Sequence, residues 1–117
     1  MSGWTVYGLK NCDTCRKARR WLNDEGIVHR FIDVRDDGIS EAQVARWAAA
    51  VDPSVLINRR GTTWRGLPEG ERAGADSGEG AARLGAAHPA LIKRPVFESG
   101  ARILVGFTDD VKAELKG

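Results

Sequence analysis

Cysteine is scarce in this chain: of 117 residues only Cys12 and Cys15 carry a thiol. A small secreted domain stapled by disulfides carries more. A reducing, cytosolic location is therefore expected, where two cysteines more often mean chemistry or metal binding than a framework. Long apolar runs are also missing. No stretch approaches the ~18 residues of a membrane span. The opening Met1-Ser2-Gly3-Trp4-Thr5-Val6-Tyr7 has no basic segment followed by an apolar one, so neither a secretion signal nor a membrane partner is expected. Charge of one sign is absent as well. Eighteen basic against 16 acidic residues leave a net +2. That balance excludes an acidic tail protein and a strongly basic nucleic-acid coat, and no direct nucleic-acid contact is expected.

What is there is enough for one small core. Leu, Ile, Val and Phe make up 26 of the 117 residues, just above the ~20% under which charged chains stay disordered. Trp4 to Gly8 is β-branched and aromatic and stops at a glycine, which predicts a strand. Leu9-Lys10-Asn11-Cys12-Asp13 predicts a tight loop. Cys15, Ala18 and Leu22 then recur at helical spacing, Trp21 widens the stripe, and Gly26 ends the helix. Ile27 to Val34 predicts a second strand with Val28, Ile32 and Val34 on one face. A crossover of this length suits a parallel βαβ unit.

Ser40-Glu41-Ala42-Gln43 fits a capping box, with Ile39 and Val44 as its hydrophobic staple. Val44, Trp47, Ala48 and Val51 continue that helix to the break at Asp52-Pro53. Asn58 to Pro68 predicts a polar, basic loop. Gly70, Gly74, Gly78, Gly80 and Gly85 each weaken a helix by ~1 kcal/mol. Residues 69–87 therefore read as locally mobile, with a helix near 77–87 capped by Ser77 and stopped by Pro89. Val96-Phe97, the Ser99-Gly100 turn and Arg102 to Phe107 predict a hairpin. Thr108, Asp109 and Asp110 start a last helix that faces inward with Val111 and Leu115. The order is βαβ, two or three helices, then ββα. It implies a single α/β domain over 1–117, with a helical insert at about 38–88 between two halves that share one sheet. A monomer is expected.

Cys12-Asp13-Thr14-Cys15 falls between the first strand and its helix, and that placement has chemical consequences. Only a thiolate attacks a disulfide, and a free thiol with a pKa of ~8.5 is mostly protonated at neutral pH. A helix start offers unpaired N–H groups and about half a positive charge. Cys12 would face both, and Lys10, Arg16 and Lys17 add positive field. Asp13 either opposes that field or is held by the helix-start amides. A depressed Cys12 pKa is expected. Cys15 lies inside the first helical turn, where its sulfur reaches Cys12 and is less exposed, as a resolving thiol requires. Two other readings compete: a pair of buried structural cysteines, and half of a zinc site. Zinc needs two more ligands, and the only histidines are His29 and His88.

Two further segments stand out. Lys93-Arg94-Pro95 precedes a strand. An X-Pro bond is cis at low cost, and in thiol oxidoreductase folds such a proline faces the reactive sulfur. The alternative is a trans proline opening an edge strand. Arg94 either holds an anion and supports the thiolate, or is a solvated loop residue. Asn58-Arg59-Arg60-Gly61-Thr62-Thr63-Trp64-Arg65 combines arginines, hydroxyls and a tryptophan. It suits phosphate, glutathione carboxylates or nucleic acid, or simply a solvated loop.

The segments Tyr7-Gly8-Leu9-Lys10-Asn11-Cys12-Asp13-Thr14-Cys15-Arg16-Lys17-Ala18, Asn58 to Trp64, Ile92-Lys93-Arg94-Pro95-Val96 and Leu104-Val105-Gly106-Phe107 together resemble the arsenate reductase–related family. That family includes glutathione-linked arsenate reductases, Spx-type transcription regulators and the YffB proteins. The YffB branch resembles the chain most, over essentially its whole length. The resemblance implies a thioredoxin-like fold with a mixed four-stranded sheet and a helical insert. It implies a reactive Cys12, a cis Pro95, and Arg94 beside the thiolate. It also implies a glutathione-dependent thiol reductase with no bound cofactor and no metal, in which glutathione is the co-substrate. Cys12, Cys15 and Arg94 are the candidate catalytic residues. Lys10, Asn11, Arg60, Lys93 and Pro95 are candidates for holding the substrate.

The departures shape two alternatives. Arsenate-reducing relatives complete an oxyanion site with further arginines, one where this chain has Val105-Gly106 and one near Asn58, so efficient arsenate reduction is not expected. Spx proteins carry the Cys-x-x-Cys that many YffB proteins lack, so Cys15 points to a disulfide switch and an RNA polymerase partner. Against that reading, the glycine Spx uses at its polymerase contact is Asp52 here, and no longer charged tail follows the last helix.

Overall fold

The computed structural model describes residues 3–117. Their elements run β1 (Trp4–Gly8), α1 (Asp13–Asp24), β2 (His29–Asp33), α2 (Glu41–Val51), α3 (Pro53–Leu56), α4 (Thr62–Arg65), α5 (Glu69–Ala73), α6 (Gly78–Ala87), β3 (Val96–Ser99), β4 (Arg102–Val105) and α7 (Asp109–Lys116). Single 3-10 turns occupy Gly74–Asp76 and Pro89–Leu91. The chain forms two compact units, one of Met1–Val34 with Arg94–Gly117, the other of Arg35–Lys93. The second is wider than the insert expected at about 38–88.

The first unit is built on a four-stranded sheet of order β2-β1-β3-β4. β1 pairs with β2 in parallel, Val6 opposite Phe31, and with β3 antiparallel, Val6 opposite Phe97. β3 turns back on β4, Phe97 opposite Leu104. Partners in register point to the same face. Phe31, Val6, Phe97 and Leu104 therefore form one apolar row, and α1 and α7 cover it with Ala18, Leu22, Val111 and Leu115. Trp21 meets Phe107 edge-on, with ring centroids 5.7 Å apart. Two helices on one face of a mixed sheet built from βαβ and ββα halves make the fold thioredoxin-like. Thr108 caps α7, its hydroxyl accepting from Val111 N–H.

The second strand starts at His29, two residues later than expected, and its core face is the other one. Val28 is 75% exposed. Pairing to Val6 turns Phe31 inward, and a period of two sends Val28 and Ile32 the other way. Only Val34 of the expected trio is buried. β4 also stops short, at Val105. Gly106 adopts φ +86° and donates its N–H to the Pro95 carbonyl at 2.9 Å, which turns the chain off the sheet.

In the second unit Ser40 caps α2, its hydroxyl accepting from Gln43 N–H at 3.1 Å. α2 buries Val44, Trp47 and Ala48. Asp52 ends the helix at φ +74° and caps the next one, accepting from Ser54 N–H at 3.0 Å. The described residues here hold five helices, where two or three were expected. The polar segment 58–68 contains α4, and α5 precedes α6. The glycines of 69–87 explain the miss. A Cβ on Gly80 would collide with the Gly74 carbonyl, and one on Gly85 would meet Val44 Cγ1 at 2.9 Å. Gly80 permits close approach to the Gly74 backbone and Gly85 leaves room for the Val44 and Ile92 side chains, so the stretch is packed helix where a loose segment was expected. Ser77 caps α6 as expected, accepting from Gly80 N–H at 2.9 Å.

Gly80→Ala is expected to destabilise the protein by about 1–3 kcal/mol, the usual penalty for overpacking. Gly78→Ala, where nothing lies within 4 Å of the new methyl, should be neutral or stabilising by up to about 1 kcal/mol. Urea unfolding of both variants measures the difference, and equal effects would refute the close-contact explanation.

Candidate active site

β1 and β2 run side by side and end together, and the site sits where β1 hands over to α1. Gly8 pairs with Asp33, and Val34 N–H donates to the Gly8 carbonyl at 2.9 Å. The chain then makes a tight turn in which Cys12 N–H donates to Leu9 O at 3.1 Å. Asp33, 9% exposed, accepts from Lys10 N–H at 2.9 Å. A buried carboxylate is costly unless it is hydrogen-bonded. This one ties the turn that carries Cys12 to the end of β2. Asp33 was not among the expected site residues. Its signal in the sequence is a charged group at the same parity as Phe31, the core-facing parity of the strand.

Cys12 is the N-cap of α1, with extended backbone (φ −95°, ψ 124°). Both cysteines are free; Cys12 is half-buried and Cys15 fully buried. The largest influence on the Cys12 thiol is burial, which raises its pKa. It is outweighed by three groups that favour the charged sulfur: the backbone N–H of Cys15, the guanidinium of Arg94, and the Cys15 thiol. The net shift is downward from the ordinary 9.0. The Cys15 N–H is the third of the helix and one of those left without an intrahelical partner.

The expected source of positive field was only partly right. Arg94 acts on Cys12 both by hydrogen bond and by charge. Lys10, Arg16 and Lys17 are exposed and contribute no resolved effect to the sulfur, because charges in water are screened. Arg16 instead donates to the Lys10 carbonyl at 3.3 Å and lies 3.6 Å from the Asp13 carboxylate. Asp13 therefore pairs along its helix surface; the helix-start amides do not hold it. Asn11 is exposed on the turn.

Cys15 behaves in the opposite way. Burial is the main cause that pushes its thiol up to about 11, and the neighbouring Cys12 sulfur adds to the rise. Leu9 N–H and Arg94 pull the other way and are outweighed. The pair is thus one ionisable sulfur and one protonated sulfur in contact.

The Arg94–Pro95 peptide bond is cis. Pro95 is fully buried, and its carbonyl is taken by Gly106 N–H. Its ring supports the turn and offers no exposed surface to a ligand. Arg60 and Lys93 belong to the second unit. There, with Ser54, Ile57, Asn58 and Arg59, they line an open cleft of about 460 Å³. Asn58 Oδ1 accepts from Arg60 N–H at 3.0 Å. Arg59 is turned aside, 2.6 Å from Asp76 and stacked 5.3 Å from the Trp64 ring centre. His29 is a strand residue whose Nδ1 lies 2.8 Å from Ile27 O. Among the described residues no group of three or more His, Cys, Asp or Glu is placed to hold a metal ion. No described helix is long and apolar enough to cross a membrane.

Comparison with known proteins agrees with this geometry. The ArsC family model matches residues 7–115. The chain belongs to the ArsC family. It is 40% identical to an uncharacterised Haemophilus influenzae protein over 105 residues, which is 90% of this chain and 91% of that one. It is 28% identical to the global transcriptional regulator Spx of Bacillus subtilis over 110 residues, 91% of this chain and 81% of the regulator. Among solved structures it resembles a YffB protein with a TM-score of 0.89 at 40% identity, covering 97% of this chain and 99% of the other. Membership relates it to reductases that use a thiol and to regulators alike.

Alkylation of Cys12 should show a pH midpoint below 9.0, because a lowered pKa keeps the reactive thiolate present as pH falls. Arg94→Ala should raise that midpoint, since burial remains while the cation is lost. A midpoint unmoved by the substitution removes Arg94 from the account. Cys15 supplies a stability test of opposite sign. Its folded pKa is raised, so its contribution is complete below 9.0 and is lost as pH climbs towards about 11. Cys15→Ala should remove that part of the alkaline loss, read as the difference in unfolding free energy between variant and wild type across that range.

Proposed function

We propose that this ArsC-family chain is a monomeric, cytosolic thiol–disulfide reductase that uses glutathione. The observation that carries the reading is the opposition of its two sulfurs, one whose ionisation the helix start and Arg94 make easier, the other buried and held protonated. Pairs of groups driven apart in pKa mark acid, base and nucleophile assignments in active sites. In the proposed cycle the Cys12 thiolate attacks one sulfur of a disulfide substrate. The substrate's S–S bond breaks, a mixed disulfide forms at Cys12, and the other half leaves as a thiolate that takes a proton from water. A second thiol then attacks the Cys12 sulfur and releases the bound half. That thiol is Cys15, which first gives up its proton, or glutathione. On the Cys15 route two molecules of glutathione then reduce the Cys12–Cys15 disulfide and leave as glutathione disulfide; on the glutathione route one further glutathione attacks the glutathione already bound to Cys12, frees the Cys12 thiolate and leaves as the same disulfide. Arg94 acts on the sulfur. Lys10 and Asn11 on the turn supply donors for an anionic partner at the thiol, and Arg60 and Lys93 form a separate set of donors in the cleft of their own unit.

A second reading, a redox-controlled regulator that binds RNA polymerase, is supported by the contact between Cys12 and Cys15 and by the 28% identity to Spx. Asp52 weighs against it, because its capping carboxylate occupies a left-handed corner where the regulator uses glycine. Arsenate reduction has less support. One place where such enzymes complete their oxyanion site is Val105-Gly106 here, without a cation.

Cys12→Ser should abolish reduction of a disulfide substrate by glutathione. Cys15→Ser should retain turnover and accumulate a glutathione adduct of one molecule per chain, seen by intact mass. Full activity of Cys12→Ser would reject the mechanism. Retention of RNA polymerase by one redox state of the wild type, with no glutathione-dependent turnover, would favour the regulator.

A further inference from the structure

Gly8 closes β1 against the Cys15 thiol, and neither turn nor backbone conformation accounts for it. Its φ is not positive, so any residue tolerates that backbone. It is the last residue of the β1–β2 ladder, paired with Asp33 and accepting from Val34 N–H at 2.9 Å. What glycine supplies is space. A Cβ at position 8 would collide with Cys15 Sγ, and would lie 3.5 Å from Cys15 Cβ and 3.4 Å from the Phe31 ring at Cε1. The Cys15 sulfur therefore occupies the volume in which every other residue carries its side chain.

That volume has fixed walls. The Gly8 backbone is held by β2 on one side. Phe31 is packed into the core row. Cys15 is anchored by α1, which buries Ala18 and Leu22 on the same stripe. Leu9 N–H meets the Cys15 sulfur in this position, and the sulfur in turn meets Cys12. A methyl group here has one cheap outlet, rotation of the Cys15 side chain, and rotation carries Sγ off Cys12.

We infer that Gly8 is a positioning residue for the thiol pair: by leaving its side-chain space to Cys15 Sγ, it holds that sulfur in contact with Cys12. The inference deepens the reductase reading and rests on it for its functional meaning. The step it controls is intramolecular. With glutathione disulfide as oxidant, the Cys12 thiolate forms a mixed disulfide and releases one glutathione thiolate. Cys15 then loses its proton to solvent and attacks Cys12 Sγ, the Cys12–glutathione bond breaks, and a second glutathione thiolate leaves. Two electrons pass from the protein thiols to glutathione disulfide. In-line attack needs Cys15 Sγ beside Cys12, and Gly8 leaves the room that keeps it there.

The test is a double-mutant cycle on the full chain, comparing wild type, Gly8→Ala, Cys15→Ala and the double variant. The first readout is the Cys12 alkylation midpoint. Gly8→Ala should raise it about as far as Cys15→Ala does, and adding Gly8→Ala to Cys15→Ala should change it little, because the clashing sulfur is gone. The second readout is the lifetime of the Cys12–glutathione adduct after mixing with glutathione disulfide. Gly8→Ala should lengthen it at least tenfold, towards its lifetime in Cys15→Ala. If Gly8→Ala fails to fold while the double variant folds, the same steric coupling is demonstrated. A wild-type midpoint and adduct lifetime in Gly8→Ala overturn the inference. So does an equal midpoint shift in both backgrounds, or a double variant that also fails to fold, since each makes Gly8 a general backbone requirement. Absence of substrate turnover in the wild type would sink the reductase reading while leaving the measured coupling between Gly8 and Cys15 intact.

Discussion

A half-buried sulfur that ionises more easily than an ordinary thiol is the constraint around which this unit is organised. Burial is the largest single effect on Cys12, and it favours the neutral form. The fold has to overcome it with groups aimed at one atom. One set is local, since the helix start presents the Cys15 N–H to the sulfur of its own N-cap. The other is distant in sequence. Arg94 lies 82 positions away and reaches Cys12 because β3 pairs antiparallel to β1, with Tyr7 opposite Val96. The sheet is thus part of the electrostatics. Without β1–β3 pairing the thiol retains its desolvation cost and loses the Arg94 cation.

The same geometry that ionises Cys12 keeps Cys15 protonated. The two residues are three apart on one helix turn, yet their shifts have opposite sign. Sequence distance does not separate them; depth does. Cys15 is on the stripe with Ala18 and Leu22 that faces the sheet, whereas Cys12 stands at the rim. Each also acts on the other. A thiolate at Cys12 disfavours a second negative charge on Cys15, and the Cys15 thiol stabilises the first. The two titrate as a pair, so a change at either moves both.

The sequence made the frame of this site legible, down to the strand ending at Gly8, the helix starting just after Cys12 and the last helix starting just after Thr108. Periodicity and caps are local signals, and those elements are local. The residues left Arg94 and the Pro95 bond with two readings each, and the resemblance chose the cis bond and the place beside the thiolate. Two kinds of feature stayed hidden. The core face of β2 depended on its register with β1, which a single strand does not reveal, so Phe31 and Asp33 were assigned to the wrong side or passed over. The glycines of α6 looked like breaks because propensity counts only their backbone entropy. Gly80 and Gly85 are there for contacts with Gly74, Val44 and Ile92, which exist only after folding. The field around Cys12 was overestimated for a related reason. Proximity in sequence placed Lys10, Arg16 and Lys17 near the thiol, but exposure to water removes most of their effect.

Fold alone does not choose among thiol chemistries, and the ArsC family holds both reductases and regulators of this architecture. The site narrows the choice through what its backbone allows. Gly106 adopts φ +86° and anchors the Pro95 carbonyl. An arginine at that position would have to accept a left-handed backbone, which costs a side chain of that kind ~1–2 kcal/mol, while keeping the hydrogen bond that shapes the turn below Arg94. The chain instead keeps a compact turn and, among the described residues, the Arg94 cation beside the sulfur. A single guanidinium suits a thiolate or one carboxylate, whereas a multiply charged tetrahedral oxyanion calls for several donors at once. The electrostatics therefore fit exchange between sulfurs better than oxyanion chemistry. The contact between a Cys12 that ionises more easily than an ordinary thiol and a protonated Cys15 is the arrangement in which such exchange can be completed within one chain.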